Sequence, residues 1–284
     1  MSRILADPIA ERFRLAAEEN RLALIPYITG CYPDPARFPR LLRAVCRYAD
    51  VVEIGIPYSD PLADGPTIQL ASQHALDQGV TTDLILEALA RVRPDTEVPF
   101  VAMAYWNNIY KMGMETFAAK CAESGVSGAI VPDLPPEEAK EWCAVAEKQG
   151  VDTIFLLAPT STDERIRLVA ERSRGFVYCV SLTGVTGARR ALPPQLAVFL
   201  DRVRSKVSRP IAVGFGISTP EQVRELANQA DGVIIGSALL QRVDPKAPLE
   251  DELKSVESFL RSLKEATHRY ELAPQAPADD AAGR

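Results

Sequence analysis

Val51-Val52-Glu53-Ile54-Gly55-Ile56-Pro57-Tyr58-Ser59-Asp60-Pro61-Leu62-Ala63-Asp64-Gly65-Pro66-Thr67 runs from an apolar strand into a loop of prolines and acids. It then opens a helix at Pro66. This is one strand–loop–helix unit, and the pattern recurs along the chain. Apolar runs at 22–29, 98–105, 128–131, 152–157, 176–180, 211–215 and 232–235 read as further strands. Several are continuously apolar, as parallel strands covered on both faces are. Amphipathic stretches separate them. Leu196, Leu200, Val203 and Val207 fall on one helical face, and so do Leu249, Leu253, Val256, Leu260 and Leu263. Gly79, Gly125 and Gly150 follow helical stretches, where a left-handed C-terminal residue sits. Thr82 is placed to cap the next helix, and Pro39 should bend or delay the first crossover helix.

Eight strands, each followed by a helix, suggest an α/β fold of the closed (β/α)₈ barrel type, the TIM barrel. An open doubly wound sheet is the rival that spacing alone leaves standing. An extra N-terminal helix at 8–20 is expected to plug the barrel's N-terminal face. The catalytic unit is expected to span 1–270. The segment 271–284, rich in Ala, Pro and Asp and without periodicity, reads as a disordered tail.

The bulk properties narrow the function. A net charge of −6 without a basic cluster disfavours a polyphosphate backbone, so nucleic acid is not an expected partner. No apolar run is long enough to span a bilayer. The opening MSRILADPIAERF has early acids and no apolar signal core, which points to the cytoplasm. The five cysteines form no CxxC pair and read as reduced thiols. Two histidines, His74 and His268, are too few for a histidine-rich metal site or, with their placement, a Ser-His-Asp triad. No metal is expected.

Glu53 interrupts an apolar strand. A carboxyl there is half of a buried ion pair, or it faces a cavity with its pKa pushed up. The following loop favours the second reading. It carries Asp60 and Asp64, and loops after barrel strands form the face where active sites are built. Glu53 and Asp64 then arise from one unit, and two acids in different environments can divide acid and base roles. Asp64 also suits a plain Asp-Gly-Pro turn.

Three late strands end in glycine-rich turns: Ser181-Leu182-Thr183-Gly184-Val185-Thr186-Gly187, Gly214-Phe215-Gly216-Ile217-Ser218 and Gly236-Ser237. Glycine lets backbone N–H groups approach an anion, and a helix starting just beyond adds its dipole. Taken together and in this strand order, the turns suggest a phosphate site. The dinucleotide fingerprint is incomplete at Thr219, which argues against a Rossmann reading. The segment 182–192 is long for its position and holds Arg189-Arg190; it is expected to form a mobile lid.

These motifs, with Leu24-Ile25-Pro26-Tyr27-Ile28-Thr29-Gly30 and the long run from Glu53 to Gln69, resemble the tryptophan synthase alpha chain family along nearly the whole chain. The resemblance implies cleavage of indole-3-glycerol phosphate into indole and glyceraldehyde 3-phosphate. It matches Glu53 and Asp64 to the catalytic pair, Tyr178 to an active-site tyrosine and Thr186 to a lid threonine. Tyr27 and Phe215 match substrate-lining aromatics, and the backbones of Gly187, Gly216, Gly236 and Ser237 match the phosphate cradle. Asp60, Pro61 and Asn107 match positions facing a beta subunit. The implied assembly is α₂β₂, with pyridoxal phosphate held by the beta partner and no cofactor in this chain. Two departures stand out: Tyr27 where some members carry Phe, and Leu182 where some carry Arg.

The resemblance further implies a metal-free retro-aldol reaction, and no lysine interrupts the strand cores to supply a Schiff base. The rival readings are a stand-alone lyase releasing free indole, a non-catalytic phosphate-binding barrel that activates a partner, and another phosphate-sugar aldolase or isomerase.

Overall fold

The computed structural model describes residues 7–181, 192 and 195–270. Thr186, Gly187, the rest of the expected lid apart from Leu192, and the tail 271–284 lie outside the described residues.

Nine short strands occur: β1 (Ala23–Thr29), β2 (Val52–Gly55), β3 (Phe100–Met103), β4 (Val126–Ile130), β5 (Asp152–Ile154), β6 (Leu156–Leu157), β7 (Val177–Val180), β8 (Ile211–Gly214) and β9 (Gly232–Ile235). The helices are α1 (Pro8–Glu18), α2 (Phe38–Cys46), α3 (Pro66–Asp77), α4 (Thr82–Val92), α5 (Trp106–Met112), α6 (Met114–Glu123), α7 (Lys140–Lys148), α8 (Asp163–Arg172), α9 (Gln195–Arg204), α10 (Pro220–Leu226), α11 (Ser237–Leu240) and α12 (Leu249–Ala266).

The sheet order is β5-β4-β3-β2-β1-β9-β8-β7-β6, and each ladder is parallel. The two end strands are separated in the chain only by Phe155, whose carbonyl accepts the Tyr178 N–H at 3.1 Å. The ring therefore closes through one backbone. The strand expected at 152–157 is two runs flanking this residue, which is why eight expected strands appear as nine. Closure removes the open sheet from consideration.

Strand alternation divides the apolar residues into two cores. On β1, Leu24 and Ile28 face the helices, while Ala23, Ile25 and Tyr27 face the barrel interior. On β3, Phe100 and Ala102 face out, and Val101 and Met103 face in. Continuous apolarity thus reflects a helix-covered outer face and a side-chain-filled interior.

Helix α1 plugs the N-terminal mouth. Asp7 caps it, accepting the Ala10 N–H at 2.8 Å. Ile9 and Phe13 enter the interior core, where Phe13 meets Phe176 with centroids 5.5 Å apart. The plug fits because Gly128 and Gly232 carry no side chain: a Cβ at either would come within 2.8 Å of Ile9 or Phe13.

Local expectations resolve in physical terms. Gly79, Gly125 and Gly150 adopt φ of 74°, 78° and 73°. Pro39 delays α2 rather than breaking it, standing in the first turn where its missing N–H costs nothing. The cap of α4 is Thr81, not Thr82. Only Thr81 has the extended backbone that lets its hydroxyl accept the Leu84 N–H, at 3.2 Å.

Candidate active site

Val52 and Ile54 face the helices, so alternation turns Glu53 into the barrel. Its register partners are Tyr27 on β1 and Val101 on β3, both interior. Toward the C-terminal ends of the strands these side chains give way to a cavity of about 220 Å³. Glu53, Asp64, Tyr27, Tyr178, Phe215 and Ile234 line it, with the first turns of α3 and α11 at its rim.

Glu53 is 1% exposed, and its Oε2 has no hydrogen-bond partner. Burial, and secondarily the negative charge of Asp64, pushes its pKa up to about 8. Asp64 approaches on the loop beyond β2. Gln69 of α3 donates to the Asp64 carbonyl at 2.9 Å, and the Asp64 N–H donates to the Pro61 carbonyl at 3.0 Å, so the loop is tied to the helix it precedes. The Asp64 Oδ1 is also buried without a partner. Burial raises this acid to about 6, opposed by the Tyr105 hydroxyl, which favours the carboxylate. Among the described residues, neither acid is half of an ion pair. One oxygen of each carboxyl is thus buried without a partner among the described residues, and a ligand in the cavity could supply it.

The aromatic walls depend on two glycines. The ring of Tyr27 lies over Gly55 and that of Tyr178 over Gly214; a Cβ at these positions would stand 2.6 Å and 2.7 Å from the respective Cζ atoms. Each tyrosine crosses the neighbouring strand in this way. The hydroxyl that distinguishes Tyr27 from Phe has a long contact to Thr29 Oγ1, at 3.5 Å. Burial raises both tyrosines well above the ordinary phenol range, so both remain protonated. Phe215 adopts φ 68° and Gly216 φ 78°. The left-handed conformation is costly for a phenylalanine. It turns the ring against Tyr178, with centroids 5.9 Å apart and planes at 66°, and the Ser181 hydroxyl donates to the Phe215 carbonyl to hold the turn. The turn ends at Thr219, whose capping box with Gln222 starts α10.

Gly216, Gly236 and Ser237 also line the cavity. Gly236 is the N-cap of α11, whose first N–H groups have no acceptor within the helix. Among the described residues, these turns offer backbone donors without a basic side chain. Among the described residues, no lysine or histidine lines the cavity, and none of the His, Cys, Asp and Glu residues forms a group of three placed to hold a metal ion. His74 packs on Tyr32 and contacts the Pro33 carbonyl at 3.0 Å.

Asp60 is exposed, and Pro61 and Asn107 are half-buried, all outside the cavity. Asp60 and Pro61 lie in the loop after β2, and Asn107 in the first turn of α5. Leu62 nearby is 96% exposed. Asn108, not Asn107, turns inward and donates to the Pro57 carbonyl at 3.2 Å. Sequence reasoning passed over Tyr105, Met103 and Ile234. The first carried a usable signal: a hydroxyl-bearing residue just past an apolar strand, on the same face as the Glu53 loop. The other two are indistinguishable from core residues.

The model of the family described as tryptophan synthase alpha chain matches residues 13–268. The tryptophan synthase alpha chain of Dehalococcoides mccartyi is 50% identical over 251 residues, covering 88% of this chain and 97% of the relative. That of Gloeobacter violaceus is 46% identical over 267 residues, covering 93% and 96%. Among solved structures, a chain of Mycobacterium tuberculosis tryptophan synthase superposes with a TM-score of 0.84 at 37% identity, covering 93% of this chain and 99% of that one. Tryptophan synthase subunit alpha from Legionella pneumophila gives 0.83 at 33%, covering 92% and 98%.

Proposed function

The chain belongs to the tryptophan synthase alpha chain family and has the role of the alpha subunit in tryptophan biosynthesis; we propose that Glu53 and Asp64 carry out its cleavage of indole-3-glycerol phosphate. The observation that carries this reading is the pair itself: one buried and one half-buried acid on one cavity, raised to different levels, about 8 and about 6. At neutral pH the first is mostly a neutral acid and the second mostly a carboxylate, so their roles separate.

Indole is a poor leaving group until its C3 is protonated. Glu53 gives its proton to C3, which breaks the ring's aromaticity and leaves positive charge on the ring nitrogen. Asp64 accepts the ring N–H and stabilises that charge in a site that water does not screen. The bond from C3 to the carbinol carbon then breaks. Its electron pair restores the indole, and the carbinol hydroxyl returns a proton to Glu53 as the aldehyde of glyceraldehyde 3-phosphate forms. Protons balance, and Glu53 ends as it began.

The aromatic walls of Tyr27, Tyr178 and Phe215 suit an indole ring. The amides of Gly216, Gly236 and Ser237 suit the phosphate, and the family resemblance adds Gly187 to that cradle and Thr186 to the catalytic set. The reaction as written uses no metal and no cofactor of this chain. The exposed loop of Asp60 and Pro61, with Asn107, is proposed to face a beta subunit in an α₂β₂ assembly, the pyridoxal phosphate being the partner's. Residues 1–270 are taken as the catalytic unit. Five free thiols suit the cytoplasm.

The test is glyceraldehyde 3-phosphate release from indole-3-glycerol phosphate, for the chain alone and with a beta subunit titrated in. Slow release that climbs with the beta subunit is expected. Fast release indifferent to it would instead make the chain a stand-alone lyase, and no release in either condition would remove the proposed chemistry.

A further inference from the structure

Tyr105 has no part in the chemistry above, yet it is the side chain that reaches the Asp64 loop from the barrel. It lies two residues beyond β3 and is 4% exposed. Its hydroxyl accepts the Ala63 N–H at 3.0 Å, and its ring stacks on Tyr58 with centroids 5.0 Å apart and planes at 29°. A phenol has one proton to donate. Because the oxygen accepts from Ala63, that proton remains for the carboxyl of the adjoining residue, Asp64. Gln69 bonds the Asp64 carbonyl, Asn108 the Pro57 carbonyl and the Asp64 N–H the Pro61 carbonyl, while Ser59 bonds the Asp60 carboxylate; these bonds do not engage the Asp64 carboxyl.

We propose that Tyr105 is a positioning residue for the cleavage: its hydroxyl pins the loop through Ala63 and holds the Asp64 carboxylate aimed at the indole nitrogen. This rests on the reading of Asp64 as the group that accepts the indole N–H. The electrostatics agree in both directions. Tyr105 favours the charged form of Asp64 against its burial. Burial, followed by the charge of Asp64, keeps the Tyr105 hydroxyl protonated and therefore a donor. Among the described residues, the titratable groups around the pair are Glu53 from β2, Tyr27 from β1, Tyr178 from β7, Tyr58 from the loop after β2 and Asp133 from the loop after β4. None supplies a positive charge, so the phenol is the stabilising side chain among these groups.

Tyr105→Phe keeps the ring and its stacking and removes only the hydroxyl. Turnover should fall about tenfold with KM changed less than about twofold, because the aim of one group is lost and not the binding surface. The acid limb of the kcat profile should move up by about one pH unit, since the carboxylate has lost its donor. Carbon-13 carboxyl NMR of Asp64 in the uncomplexed chain should show the same upward move. Replacing Tyr105 with 3-fluorotyrosine, a stronger donor that leaves the shape intact, should move both the other way. If Asp64 titrates identically in all three proteins, the proposal is overturned, whatever the turnover does. If instead Asp64→Asn turns over like the wild type, the catalytic reading of Asp64 falls and the positioning role falls with it. The NMR shift in that case separates this failure from an absent contact.

Discussion

Tyr27 on β1 is the register partner of Glu53 on β2, so the two side chains enter the barrel side by side at one level. That places an ionisable acid against an aromatic ring, with no cation among the described residues paired with it. The arrangement makes Glu53 destabilising whenever it is charged.

A stability prediction follows with a definite sign. The folded-state pKa of Glu53, about 8, lies above its ordinary value of 4.5. The folded chain therefore holds a proton that the unfolded chain has released. Its contribution is fully present below the unfolded pKa and is lost as pH rises through about 8. Asp64, raised to about 6, acts with the same sign over a lower range. The thermal midpoint of the wild type should decline from weakly acidic to weakly alkaline pH, and Glu53→Gln should decline less. Parallel curves for the two proteins would show that Glu53 does not titrate in the folded chain.

Activity should depend on pH as a bell. The working state needs Asp64 charged and Glu53 neutral, so kcat/KM should rise near pH 6 and fall near pH 8. The inflections belong to the pair, because each acid feels the other. Initial rates of glyceraldehyde 3-phosphate release read this directly. Glu53→Gln and Asp64→Asn should each fold and lose turnover by about a hundredfold or more; near-normal turnover in either removes that residue from the chemistry.

Gly55→Ala should be costly for a change of one methyl group. The new Cβ would stand 2.6 Å from Tyr27 Cζ in a buried site, so the ring must leave the wall it forms. A loss of about 1–3 kcal/mol in urea denaturation is expected, together with weaker substrate binding. Unchanged stability would mean that the ring has another place to lie.

At the opposite mouth of the barrel, Asp50 gathers Arg21 at 2.7 and 2.9 Å, the Leu24 N–H at 2.7 Å and Lys264 at 2.7 Å. Asp50→Ala leaves the buried Arg21 guanidinium with only the exposed Glu19 as a carboxylate partner and should cost about 3 kcal/mol. Turnover of the protein that remains folded should be unchanged, because this cluster is far along the strands from the cavity. Denaturation followed by an assay at a temperature where the variant is folded separates the two effects.

The sequence was most readable where one local rule decides. Helix-terminating glycines, the helix-delaying Pro39 and the N-terminal plug all follow from short-range sterics and amphipathic spacing. Glu53 was readable because an acid in an apolar strand is an anomaly that needs an explanation. Tyr105 was less so: its hydroxyl just past an apolar strand is a signal, but a tyrosine there suits a core as well as a site. Thr81 and Thr82 were ambiguous for the same kind of reason. Both can cap, and backbone conformation chooses between them.

By itself the sequence determined the succession of strands and helices, the acid in the second strand and the glycine turns after the later ones, since these rest on residues close in the chain. The tertiary structure alone decided that the ring closes at Phe155, that alternation turns Glu53 inward, and that Tyr105 reaches Ala63 across 42 positions. Those contacts join residues far apart in the chain. Their energies depend on strand register and burial, which exist only once the barrel has formed.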